Sequence, residues 1–149
     1  MNSISDLVHP ICTVSVMGTP HKVRFYPSPR TIEDGDPDFP WSDIEDLLTA
    51  YGFPEQMKAL LQGEILGLYQ PDFAQTLTTT DGGRTVFDYS MARQMMADGV
   101  RYQWAPENRD RDQKLWSHAI KACLEGVPSR VEFEAFVAQC KKRDGFKNQ

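Results

Sequence analysis

Residues 74–96, AQTLTTTDGGRTVFDYSMARQMM, decide the fold class of this chain. Two runs suited to extended structure, residues 74–80 and 84–88, flank Asp81-Gly82-Gly83. Glycine accepts the positive φ that tight antiparallel turns demand, so the segment predicts a β-hairpin. Immediately afterwards the period changes from two to 3.6. Ser90 is expected to cap a helix, SMARQMMADG, with Met91 and Met95 on its inner face. Hairpins segregated from helices, rather than strict βαβ alternation, predict antiparallel pairing. The segment therefore belongs to an α+β protein with antiparallel pairing.

Working toward the N-terminus, the same signals recur. Residues 10–17 (PICTVSVM) and 22–26 (KVRFY) are rich in β-branched residues, and Gly18-Thr19-Pro20 between them predicts another hairpin. Residues 27–40, PSPRTIEDGDPDFP, hold four prolines and one glycine, which predicts a surface loop. Ser42-Asp43-Ile44-Glu45 has the spacing of a capping box, with Ser42 as the helix cap. Ile44, Leu47, Leu48 and Tyr51 then share one helical face, and Gly52 with Pro54 stops the helix. A shorter helix over residues 54–62 should turn Met57, Leu60 and Leu61 inward before Gly63 ends it, with an irregular apolar stretch, EILGLYQPDF, behind it.

Toward the C-terminus, residues 100–111 predict a polar, arginine-containing connection. From Asp112 a helix should bury Leu115, Ala119, Ile120 and Cys123, and Gly126 with Pro128 ends it. A second capping box, Ser129-Arg130-Val131-Glu132, opens a helix with Phe133, Phe136, Val137 and Cys140 at helical spacing. The expected architecture is a single α+β domain over residues 1–149, with flexible ends at 1–8 and 144–149. It comprises two antiparallel hairpins and about five helices, the helices covering a single layer of sheet.

Composition narrows the function classes. The 149 residues are 40% hydrophobic and 11% aromatic, enough apolar matter for one core. No run reaches the roughly 20 apolar residues of a membrane span, and the first residues lack the basic and apolar regions of a signal peptide, so a cytoplasmic location is expected. Cys12, Cys123 and Cys140 form neither a C-x-x-C pair nor an even set, which argues against a disulfide framework or structural zinc. The net charge of −5 is uneven: residues 1–75 carry four Lys or Arg against eleven Asp or Glu, residues 76–149 twelve against ten. A phosphate-binding surface would have to come from the second half.

Asp34, Asp36, Asp38, Pro40, Ser42 and Glu45 match the offsets of a calcium loop, but Phe39 stands where the sharp turn needs glycine, so no metal is expected. His9, His21 and His118 have no partner at a metal-ligand interval, and Gly82-Gly83 is followed by no Lys-Ser or Lys-Thr, which leaves no catalytic residue and no cofactor to name. Arg84, Arg93, Arg101, Arg109, Arg111, Lys114 and Lys121, interleaved with Tyr102 and Trp104, form the candidate nucleic-acid contact. The alternative is an acidic docking surface, or nucleic-acid mimic, built on Asp34, Asp36, Asp38, Asp43 and Asp46.

The order of elements, with Asp43-Ile44 opening a helix that ends at Tyr51-Gly52-Phe53, resembles the N-terminal domain of the Bro and phage antirepressor proteins. TTTDGGRTVF (78–87) resembles that family's second hairpin, and Lys114-Leu115-Trp116 with Ala119-Ile120 resembles its tryptophan-bearing helix. RTVFDYSMARQMM is also similar to uncharacterised proteobacterial proteins. The resemblance implies a non-enzymatic regulator in a phage or mobile-element setting that contacts DNA or a DNA-binding protein. A homodimer through Met and aromatic residues of the short helices is a further expectation.

Overall fold

The computed structural model describes residues 7–29, 39–123 and 138. In chain order the elements are β1 (Cys12–Ser15), β2 (Lys22–Tyr26), β3 (Trp41–Asp43), α1 (Ile44–Tyr51), α2 (Glu55–Tyr69), β4 (Ala74–Thr79), β5 (Gly82–Phe87), α3 (Tyr89–Arg101) and α4 (Arg109–Cys123). The protein is α+β: one antiparallel five-stranded sheet, ordered β1-β2-β3-β5-β4, with four helices among the described residues. The expected acidic-loop positions Asp34, Asp36 and Asp38 and the expected helix after Ser129 lie outside the described residues.

The strand β3 joins the two halves of the sheet, pairing Ser42 with Phe25 on one side and with Phe87 on the other. It was not foreseen. Ser42 belongs to this strand, and the cap of α1 is Asp43, whose carboxylate accepts from the Asp46 amide at 3.0 Å. The helix ends as expected at Gly52, whose φ of 84° is the left-handed geometry that a side chain would strain. Phe39 and Pro40, at the end of the expected surface loop, are buried.

Strand alternation sorts residues onto two faces. Val14, Val23, Phe25 and Phe87 face the helices and form the main core with Ile44, Leu47, Leu48, Met96, Leu115 and Trp116. The opposite face carries Tyr26, Trp41 and Val86, also fully buried, with Val8 and Leu77 packed against them. Val8 pairs in parallel with Thr79 of the edge strand β4, just before the chain enters the other edge strand, so the sheet curls toward closure around this second cluster.

Two helices depart from expectation. Gly63 does not end α2, which runs on to Tyr69; Leu60 is 56% exposed, and the side chain buried instead is Ile65. The cap of α3 is Asp88, accepting from the Met91 amide at 3.0 Å, rather than Ser90. The buried residues of α3 are Tyr89, Ala92, Met96 and Gly99, with Met91 and Met95 half-buried at the margin.

Candidate functional site

The charged residues fall into two groups that the linear sequence does not distinguish. The first is an ion cluster where the sheet face opposite the main core meets the first turn of α1. Arg24 on β2, Asp43 on β3 and Arg84 on β5 lie on neighbouring strands. Arg84 donates from Nε to Asp43 at 2.7 Å, and Arg24 grips Asp46 through Nε at 2.7 Å and Nη2 at 2.9 Å. Glu45 meets Arg84 at 3.2 Å, and Asp81 from the β4–β5 turn meets Arg24 at 2.9 Å. Hydrogen bonding to Asp46 raises the proton affinity of Arg24 despite the cost of burial, and Asp43 does the same for Arg84. With its carboxylate capping α1 and clasping Arg84, Asp43 is fully buried and has no face left for a partner.

The second group surrounds a cleft between α3 and α4, with a volume of about 800 Å³. One stripe of α3, Tyr89, Arg93, Met96 and Ala97, forms a wall; these residues recur at i, i+4, i+7 and i+8 and so share a helical face. The facing wall is the α4 stripe of Arg109, Gln113, Trp116, Ile120 and Lys121. Tyr51 and Asp112 close the rear. The Tyr51 hydroxyl donates to Asp112 at 2.5 Å, and the Arg111 guanidinium lies 3.9 Å from the centre of the Tyr51 ring while its Nε donates to the same carboxylate at 3.1 Å. Burial and then the bond to Asp112 push the Tyr51 phenol well above its ordinary range, and burial pushes Tyr89 up to about 12. Asp112 is thus matched by Arg111, and the cations at the cleft, Arg93, Arg109 and Lys121, outnumber unmatched acids. The floor between them is apolar: Met96, Ala97, Trp116 and Ile120.

Of the seven cations expected to contact nucleic acid, the structure brings these three together. Arg84 is in the ion cluster, and Arg111 is 3% exposed, donating also to the Pro106 carbonyl at 2.9 Å. Arg101 pairs with Asp98 at 3.2 Å, and Lys114 reaches the Met17 sulfur near the β1–β2 turn, away from the cleft. Arg109 has a loose contact with Glu107 at 3.7 Å, both side chains being widely exposed. In the acidic alternative, Asp43 and Asp46 are both occupied by arginine. Of the expected calcium ligands, Ser42 is buried in β3 and Glu45 turns to Arg84. Among the described residues, no group of three or more His, Cys, Asp or Glu is placed to hold a metal ion.

Tyr51, Tyr89, Met96, Gln113 and Trp116 were not foreseen as site residues. For Gln113 and Trp116 the signal is a second helical stripe on α4, offset from Leu115 and Ala119, and for Tyr89 and Met96 a stripe on α3, but a stripe does not announce which neighbour it faces. Comparison of the chain with family models, with curated proteins and with solved structures gives no match.

Proposed function

We propose that this chain is a non-enzymatic regulatory protein that captures a protein partner, of the DNA-binding kind that an antirepressor-like role calls for, in the α3–α4 cleft. The observation that carries this is the pairing of an apolar floor with Arg93, Arg109 and Lys121 around it. A duplex backbone needs a run of cations over a polar surface. A cleft whose apolar lining pairs exposed Ala97 and half-buried Ile120 with the edges of buried Met96 and Trp116, between cations, suits a protein segment that buries apolar side chains and carries carboxylates. The net charge of −5 weighs in the same direction, since it repels a polyanion everywhere except at local basic patches.

The test is photo-crosslinking in cells with a photoreactive phenylalanine analogue in place of Ser117, a cleft residue. One protein adduct is expected, lost when Arg93→Glu and Lys121→Glu are combined, and the adduct should contain a DNA-binding protein. Direct duplex binding that weakens steeply with salt and disappears with the same two changes would replace the partner by DNA itself. An adduct indifferent to the charge reversal would remove the cleft from the function.

A further inference from the structure

The two walls of the cleft have a common geometry. On α4 the cleft residues run 109, 112, 113, 116, 117, 120 and 121, a stripe that keeps to one side of the helix for more than three turns. At 1.5 Å per residue, Arg109 and Lys121 stand about 18 Å apart along the axis. On α3 the stripe from Tyr89 to Ala97 covers more than two turns. Two helices that each present a ridge of side chains to one cleft, with apolar residues at its centre (Met96 and Ala97 on α3, Trp116 and Ile120 on α4), provide the ridges and grooves into which a third helix packs. A strand would need an unpaired sheet edge to satisfy its backbone, and neither wall is a strand. The cleft ends are cationic, with Arg109 at one end of the α4 stripe and Lys121 at the other, and Arg93 on α3.

We infer that the partner segment taken by this cleft is an amphipathic α-helix of about three to four turns, with an apolar stripe for Trp116 and Ile120 and carboxylates near both ends for Arg109 and Lys121. This rests on the cleft being the partner site and adds the conformation, length and charge pattern of what it binds. Charge complementarity selects the occupant: a basic or neutral amphipathic helix would bury the same floor and offer no carboxylate to Arg93, Arg109 and Lys121.

The experiment titrates the full-length protein with a capped peptide of about 14 residues bearing leucines at i, i+3, i+4 and i+7 and glutamates toward both ends. Its controls are a composition-matched scramble and a version with lysine for every glutamate. The acidic peptide should quench or shift tryptophan emission saturably, less so in Trp116→Phe, and gain helical circular dichroism on binding, with affinity about tenfold or more above both controls. In the protein combining Arg93→Glu and Lys121→Glu the preference should invert toward the lysine peptide, which a merely damaged fold would not do. Equal binding of all three peptides, binding without gain of helix, or no binding overturns the inference. A crosslink from position 117 to residues 124–149 of the same molecule, or a dimer abolished by the charge reversal, gives the cleft to another occupant and also overturns it. If the peptide fails while the cellular adduct remains sensitive to charge reversal, the partner site stands and only its helical occupant is lost.

Discussion

At the scale of single residues, Asp43 does the most structural work. Its carboxylate caps α1, clasps Arg84 and lies 3.6 Å from Arg24 in a fully buried position. Asp43→Ala removes a cap worth about 1 kcal/mol and leaves a partly buried guanidinium without its shortest partner, so a loss of about 3–5 kcal/mol is expected. Asp43→Asn retains the capping oxygen and should cost distinctly less. Urea unfolding of both variants checks this, and equal losses would deny the capping oxygen its part. Tyr89 sets a pH dependence. An unfolded phenol ionises near pH 10, whereas burial holds Tyr89 protonated up to about 12. Between those values the unfolded chain releases a proton that the folded chain keeps, so stability is complete below pH 10 and is lost as pH rises through 12. The loss is about 2–3 kcal/mol for this group. Tyr51 and Tyr26, also raised by burial, add to the slope. Thermal melts from about pH 9 upward should show a shallower decline for Tyr89→Phe than for the parent; parallel declines would contradict the assignment.

At the scale of elements, what was legible in the sequence is what local chemistry alone decides. The alternation in KVRFY marked β2, and the spacing of Ile44, Leu47, Leu48 and Tyr51 marked the buried face of α1. The strand β3 was not legible, because three residues are too few for a period. Ser42-x-x-Glu45 also matches a capping box, a local pattern that lost to the ladder Ser42 forms with Phe25 and Phe87. The length of α2 escapes a local reading for a related reason. Gly63 is a weak helix former, yet Leu61, Ile65 and Leu66 pack on the core and carry the helix past it. A pair of glycine substitutions separates the two effects. Nothing stands within 4 Å of a methyl placed at Gly63, so Gly63→Ala should stabilise by about 0.5–1 kcal/mol. A methyl at Gly99, on α3, would land on the Phe53 ring, so Gly99→Ala should destabilise by about 1–3 kcal/mol. Calorimetry reads both signs; a gain at Gly99 would mean that Phe53 moves freely, against its edge contact with Trp104 at 6.3 Å.

At the scale of the whole molecule, charge is organised by topology rather than by chain position. The excess of Lys and Arg in the second half invited a single basic surface. Instead the sheet draws Arg84 to acids of the first half, and Tyr51 with Asp112 draws Arg111 inward. The three cations that share the cleft are spread over 29 positions from Arg93 to Lys121 and meet only because α3 and α4 line the same cleft. The candidate site was therefore half legible: Arg93, Arg109 and Lys121 were named from composition, whereas the apolar floor that changes their meaning needed the fold. The second cluster around Trp41 and Tyr26 braces the opposite sheet face, so a partner at the cleft meets walls anchored in one continuous structure.

The measurement that bears most directly on this account is amide hydrogen exchange of the full-length protein, free and joined to the partner recovered by crosslinking. Slowed exchange is expected in α3 and α4, Tyr89–Arg101 and Arg109–Cys123, with the β4–β5 hairpin and its ion cluster unchanged. Protection centred on the β4–β5 hairpin, with α3 and α4 exchanging as in the free protein, would contradict it.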